Sequence, residues 1–169
     1  MERKLLISDL NLGYEGLFDA ADFFKLIDDW FKQNGYEKNE VKHVERVTEK
    51  GKYIDIEIMP TKEVSTYARF EVKIRIIVKN LVETKVKKNK QEFKINKGNL
   101  SVNIDVFLAT DVKNRLESKP WQFFTRTLFN KYVNKDYINR MEKDVMTDVK
   151  NFHSELKAYL NLERYKEQA

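Results

Sequence analysis

Residues 69–79 read "RFEVKIRIIVK". Phe70, Val72, Ile74, Ile76 and Val78 alternate with Arg69, Glu71, Lys73 and Arg75. Successive side chains of an extended strand point to opposite faces, so this spacing predicts a strand with one buried and one wet face. Two other stretches repeat the pattern. "YIDIEIM" (53–59) sets Ile54, Ile56 and Ile58 against Asp55 and Glu57, and "LSVNIDVFL" (100–108) sets Leu100, Val102, Ile104, Val106 and Leu108 against Ser101, Asn103 and Asp105. Less regular alternations fall at 41–48, 81–87 and 91–96. One-sided apolarity is the pattern of an antiparallel sheet. Gly51, Asn89–Lys90 and Gly98 mark connections short enough for hairpins. Pro60 ends a strand or marks a bulge.

Upstream, "KLLISDLNL" (4–12) reads as a first strand and "GLFDAADFFKLIDDWFKQNGY" (16–36) as a helix. Asp19 suits the N-cap, Phe18 and Phe23 suit a hydrophobic staple, and Gly35 suits the left-handed stop. Ala20, Phe23, Phe24, Ile27, Trp30 and Phe31 share one helical face, with Asp22, Lys25, Asp29 and Lys32 on the other. After Asp111 the period returns to 3.6. Pro120 suits the first turn of a helix over 120–133. A longer helix follows over about 136–161, with the stripe Ile138, Met141, Val145, Val149, Phe152, Leu156, Tyr159 and Leu160. The expected core has Ile56, Ile74, Ile104, Phe24, Leu128, Phe152 and Leu156 nearly buried at the centres of their stripes.

The expectation is one α+β domain over 1–169: a mainly antiparallel sheet of about five to seven strands, covered on one face by an N-terminal helix and a long C-terminal helix. Two prolines, five glycines and no Ser- or Pro-rich linker fit a single unit. This element order resembles the helix-grip superfamily, the START-like and polyketide-cyclase-like proteins. The resemblance implies a curved antiparallel sheet wrapped around a long C-terminal helix, often about an apolar cavity. It supplies no motif, so it transfers no site residue. The sequence also resembles archaeal proteins of this size, which implies no activity.

Composition excludes some chemistry. There are no cysteines, so disulfides, thiolate nucleophiles and cysteine-ligated zinc are ruled out. No signal peptide is read in "MERKLLISDL", and no run reaches the roughly 18 apolar residues of a membrane span. A cytoplasmic protein is the expectation. The net charge of +5 permits an acidic partner without demanding one. G-x-S-x-G, P-loop and G-x-G-x-x-G patterns are absent. His43 and His153 are read as isolated, a surface and a core-flank residue rather than metal ligands. Asp55, Glu57 and Asp105 share the wet face with Arg69, Lys73 and Arg75, which reads as cross-strand ion pairing rather than acid–base chemistry. No catalytic residue, metal site or cofactor is expected.

Two regions stand out. "KPWQFFTRTLFNKYV" (119–133) places Trp121, Phe124, Leu128, Phe129 and Tyr132 on one helical stripe and Phe123 opposite it, beside Arg126, Thr127 and Asn130. Phe123 either packs under the final helix or meets a partner or ligand, and Phe123, Arg126, Trp121 and Trp30 are the candidate contact or pocket residues. "KVKKNKQEFKINK" (85–97) holds Lys85, Lys87, Lys88, Lys90, Lys94 and Lys97 against one acid. Such a hairpin either keeps an exposed sheet soluble or touches a phosphate backbone. The inner sheet face offers aliphatics and one Phe, so the space beneath the helices is filled core or a pocket for an apolar molecule. Two functions follow. The first is a non-enzymatic binding module for an apolar small molecule or a protein partner. The alternative is a basic accessory protein docking on RNA, DNA or a ribonucleoprotein through the lysine hairpin.

Overall fold

In the computed structural model, residues 2–65, 68–110 and 135–168 are described, with side chains up to Asn161. Strand β1 (Glu2–Phe18) leads into helix α1 (Ala20–Gln33). Strands β2 (Glu40–Thr48), β3 (Gly51–Ile58), β4 (Thr61–Glu63), β5 (Ala68–Lys88) and β6 (Gln91–Thr110) follow, then helix α2 (Lys135–Gln168). The six strands form one open antiparallel sheet in the order β1-β6-β5-β3-β2, with β4 pairing β5. This is the expected α+β arrangement. The helix expected over 120–133, with Trp121, Phe123, Arg126 and Leu128, lies outside the described residues.

The alternating residues face inward as their spacing requires. Phe70, Val72, Ile74, Ile76 and Val78 of β5 stand opposite Leu108, Val106, Ile104, Val102 and Leu100 of β6, and all ten are buried. Burying an apolar side chain of this size is worth about 1.5–3 kcal/mol. Both described helices therefore lie on this face.

Local chemistry fixes α1. The Asp19 carboxylate accepts from the Asp22 N–H at 2.9 Å, and Phe18 meets Phe23 edge-on at 6.2 Å. At the other end the Gly35 N–H donates to Lys32 O and the Tyr36 N–H to Phe31 O. That double closure needs a left-handed residue, and Gly35 supplies it at φ +75°. Tyr36 then packs edge-on against Phe31, with centroids 5.2 Å apart.

Helix α2 runs alongside β1 and antiparallel to α1. Lys4 pairs with Glu142 at 2.9 Å, the His153 ring Nε2 donates to the Asn11 carbonyl at 2.8 Å, and the Tyr159 hydroxyl donates to Asp22 at 3.2 Å. Phe152 closes the interior against Trp30 at 4.6 Å and Phe31 at 5.1 Å. At 34 residues, α2 is longer than its apolar stripe and about 50 Å from end to end.

Several boundaries differ from the sequence reading, and bulges explain them. β1 runs from 2 to 18, because register shifts after Leu5 and Ile7 break its alternation without ending its pairing with β6. Asp9 sits at φ +54° in the second shift, where its N–H donates to the Asp105 carboxylate. The segments 81–87 and 91–96 are the outer halves of β5 and β6, joined to their inner halves. Gly98 is accordingly not a hairpin connection. It lies within β6 opposite a bulge at Asn80–Leu81, where a Cβ would meet Lys79 O at 3.1 Å and Leu81 at 3.2 Å. Pro60 does follow a strand end, and its carbonyl accepts from Val72.

Phe152 has no exposed surface. Phe152→Ala is therefore expected to lower stability by about 3–5 kcal/mol in urea unfolding. A loss below 1 kcal/mol would contradict this packing. The two-residue turn Asn89–Lys90 has φ +51° and +64°, a type I′ hairpin in which Lys90 holds a conformation that favours glycine. Lys90→Gly is expected to raise stability by about 0.5 kcal/mol, read as a higher urea midpoint at unchanged slope.

Candidate functional site

Strand β2 is the sheet edge beyond α1. His43 and Glu45 stand opposite Ile56 and Ile54 of β3, so they share the inner face. A cleft of about 230 Å³ opens there between α1 and β2–β3. Its apolar lining is Phe24, Ile27, Ile54, Ile56, Ile58 and Ile76, and its polar lining is Asp28, Lys38, Glu40, His43 and Glu45. Ile56 and Phe24 were expected to be nearly buried. They are only half-buried, because they line this opening.

The polar groups engage one another at the rim. His43 Nε2 lies 2.9 Å from Glu45 Oε1, and His43 Nδ1 lies 3.6 Å from Glu40. Glu45 also pairs with Lys52. The Lys52 and His43 hydrogen bonds hold the Glu45 carboxyl below its ordinary range. Lys38 pairs with Asp28 at 2.9 Å, joining α1 to the chain just before β2. That pair also borders a second hollow, about 340 Å³, lined by Asp29, Phe31, Lys32, Tyr36, Ile58 and Pro60. Burial, and secondarily the Asp148 charge, pushes the Tyr36 phenol up.

The reading of His43 as isolated is thus corrected: Glu45 is two residues on, the spacing that puts two side chains on one face of a strand. Among the described residues no three His, Cys, Asp or Glu side chains cluster closely enough to hold a metal ion. His153 is buried, and its ring bonds a carbonyl. Trp30 does not line the cleft. It packs among Phe31, Tyr36 and Phe152 in the core. Phe123, Arg126 and Trp121 lie outside the described residues.

On the outer face, cross-strand pairing accounts for two of the three acids. Asp55 accepts from Lys42 at 2.6 Å and from Arg75 at 3.1 and 3.2 Å, and Lys73 lies 3.5 Å from Glu57. Asp105 departs from the expectation by holding the β1 bulge instead. Asp55 is also not wet. It is 3% exposed, covered by its two cationic partners. Glu71 is wholly buried on the same face between Arg3 and Arg69.

The lysine hairpin is the outer half of β5–β6. All six lysines are exposed. Lys94 pairs with Glu83 at 3.1 Å, while Lys85 and Lys87 approach Glu92 at 3.8 and 3.7 Å. No helix among the described residues is long and apolar enough to cross a membrane. Compared with protein-family models, curated proteins and solved structures, the sequence matches none.

The Asp55 cluster makes a pH prediction. Hydrogen bonds from Arg75, then Lys42, lower the Asp55 pKa to about 2. Its folded pKa lies below its unfolded value, so its stabilisation is complete above about pH 4 and is lost as pH falls towards 2. Asp55→Asn is expected to cost about 1 kcal/mol at pH 7, after solvent screening at the exposed lysine and arginine ends. Wild type and variant are expected to converge in acid. A constant gap from pH 7 to pH 2 would contradict the ion-pair account.

Proposed function

We propose that the protein is a non-enzymatic binding module of helix-grip type, and that the cleft between α1 and β2–β3 holds an apolar small molecule. One observation carries the reading. The inner face is packed under α1 and α2, but its isoleucine row runs on to Ile56, which is only half-buried at the floor of a cleft beside α1, with Ile54 and Ile76 buried on either side of it. Apolar floors with a few polar groups at the mouth are the usual composition of small-molecule sites.

The volume sets the ligand's size. At about 230 Å³, the cleft is below the roughly 300–1,000 Å³ of drug-sized pockets. It suits a compact aromatic amine of two ring systems or a short acyl chain. The rim sets the polarity. Glu40, Glu45 and Asp28 outnumber Lys38 and His43 there, which favours a ligand whose exposed end donates hydrogen bonds. The second hollow lies past the Asp28–Lys38 pair. An exposed pair of this kind is worth about 0–1 kcal/mol, so a longer ligand could displace it and occupy both.

Binding without catalysis is supported by the arrangement of the rim. His43 is paired with Glu45, Glu45 with Lys52, and Lys38 with Asp28, so the cleft-lining His43, Glu45, Lys38 and Asp28 each already have a partner.

Titration with N-phenyl-1-naphthylamine, a neutral apolar fluorophore, tests the reading. Wild type is expected to enhance its emission saturably. Ile56→Trp, which fills the cleft, is expected to weaken binding at least tenfold with an unchanged circular dichroism spectrum. No saturable binding by wild type, or equal binding by a folded Ile56→Trp variant, would refute the site.

A further inference from the structure

The β5–β6 ribbon leaves the sheet body. β1 pairs with β6 only as far as Asn96, and β3 pairs with β5 only as far as Leu81. From Thr84 to Lys88 the ribbon has only its own partner strand, over about 15 Å, and Val82 and Lys97 lie at its base, where Lys97 still pairs with Leu17 of β1. Cross-strand partners share a face, so the register sorts its side chains. One face carries the pairs Glu83/Asn96, Lys85/Lys94 and Lys87/Glu92. The other carries Val82/Lys97, Thr84/Ile95, Val86/Phe93 and Lys88/Gln91.

The second face is apolar along its middle and open to solvent. Phe93 is 52% exposed and Val82 39%, with Val86 and Ile95 half-buried between them. The lysines are sorted too. Lys85, Lys87 and Lys94, on the first face, all have acidic partners. Lys88 and Lys97 bracket the apolar stripe and Lys90 lies at the turn, and none of these three has an acidic partner among the described residues. An apolar stripe flanked by uncompensated cations complements a surface that is anionic at its boundary and hydrocarbon just beneath.

We infer that the β5–β6 ribbon docks the protein on anionic lipid membranes through this face. Val82, Val86, Phe93 and Ile95 enter the interfacial region, and Lys88, Lys90 and Lys97 meet lipid phosphates or carboxylates. The ribbon lies flat and does not span the bilayer. Nucleic acid fits the same charge less well. Three of the four apolar residues are aliphatic and have no π-face for a base to stack on. This inference is independent of the cleft, which opens on the opposite face of the sheet.

Each lysine brought to an anionic bilayer strengthens binding about fivefold. Replacing three should therefore weaken it by about a hundredfold.

Vesicle flotation of the full chain tests this, with phosphatidylcholine vesicles containing 30 or 0% phosphatidylserine, about 50 mM or 300 mM salt being the two conditions. Wild type is expected to float with the anionic vesicles at low salt, weakly at high salt, and not with the neutral ones. The Lys88→Gln, Lys90→Gln, Lys97→Gln triple variant is expected to bind about a hundredfold more weakly, and Phe93→Ser several-fold. The control triple Lys85→Gln, Lys87→Gln, Lys94→Gln removes the same formal charge from the other face. A clearly smaller loss there supports oriented docking, and an equal or larger loss overturns it. Failure of wild type to float overturns the inference, whether or not duplex RNA or DNA binds in gel-shift assays. Circular dichroism of each variant confirms that the fold persists. If Phe93→Ser fails to fold, the comparison between the two lysine triples decides the question alone.

Discussion

The structure depends on a one-sided sheet. β5 and β6 each present an unbroken row of buried apolar side chains on one face, while the other is mainly polar, with Ile77 and Phe107 among its charged and amide groups. Helices can remove apolar area from water on the first face only, so α1 and α2 share it. Their order across it follows from the chain. α1 begins directly after β1, and α2 is tied back to β1 at Lys4 and Asn11. The two helices then run antiparallel, and Phe152 fills the space between Trp30 and Phe31. A smaller residue at 152 would leave a void beneath both helices, and the rigid sheet cannot collapse to fill it.

Simple dimensions explain why a cleft remains. Packed helices lie about 8–10 Å apart and paired strands about 4.8 Å apart. Two helices therefore cover about four strands. The main path of this sheet has five, β1-β6-β5-β3-β2. The last strand is left over among the described elements, and its composition agrees: β2 directs His43 and Glu45 to the inner face, where β5 directs isoleucine and valine. The cleft is the step between the parts of one surface that the described helices do and do not cover. Its floor belongs to the core pattern of β3 and β5, and its rim to an edge strand built for water. Charges along β2 also discourage pairing with another sheet edge.

The sequence makes the fold legible wherever local rules and burial agree. The α1 cap, staple and glycine stop are visible because each needs a particular residue at a fixed offset, and the structure places Asp19, Phe18, Phe23 and Gly35 in those roles. Bulges are harder to see. Asp9 and Asn80 adopt positive φ without being glycine, and each shifts register without a break in hydrogen bonding. Alternation then fails locally and a continuous strand looks like two. Gly98 misleads for a related reason. Its missing side chain makes room for Leu81 from the neighbouring strand, not for a turn. The cleft was only partly readable. Ile54, Ile56 and Ile76 are evident as inner-face residues, but the partial exposure of Ile56 depends on which strand lies at the edge. The buried acids Asp55 and Glu71 occupy wet-face positions and become buried only when cations from other strands fold over them.

The bulge at Asn80–Leu81 has a consequence beyond the loss of one pairing. Before it, the even-numbered residues of β5 face the helices, from Phe70 to Val78. With perfect alternation, Val82 and Val86 would continue on that face, opposite Phe93 and Ile95 of β6, which lie on the outer one. One extra residue inverts the phase of β5 alone: Lys79 stands opposite Asn99, but Val82 stands opposite Lys97. Val82 and Val86 thereby join Ile95 and Phe93, and Lys85 and Lys87 join Lys94 on the other side, beside Glu83 and Glu92. Leu81 is left on the inner face, where the space above Gly98 receives it. Without the inversion each face of the ribbon would mix valines, aromatics and lysines, and neither would be amphipathic in an organised way. The shift also separates the molecule's two unusual surfaces. The isoleucine cleft opens on the helix side, and the apolar stripe of the ribbon faces away from it, so occupation of one leaves the other accessible.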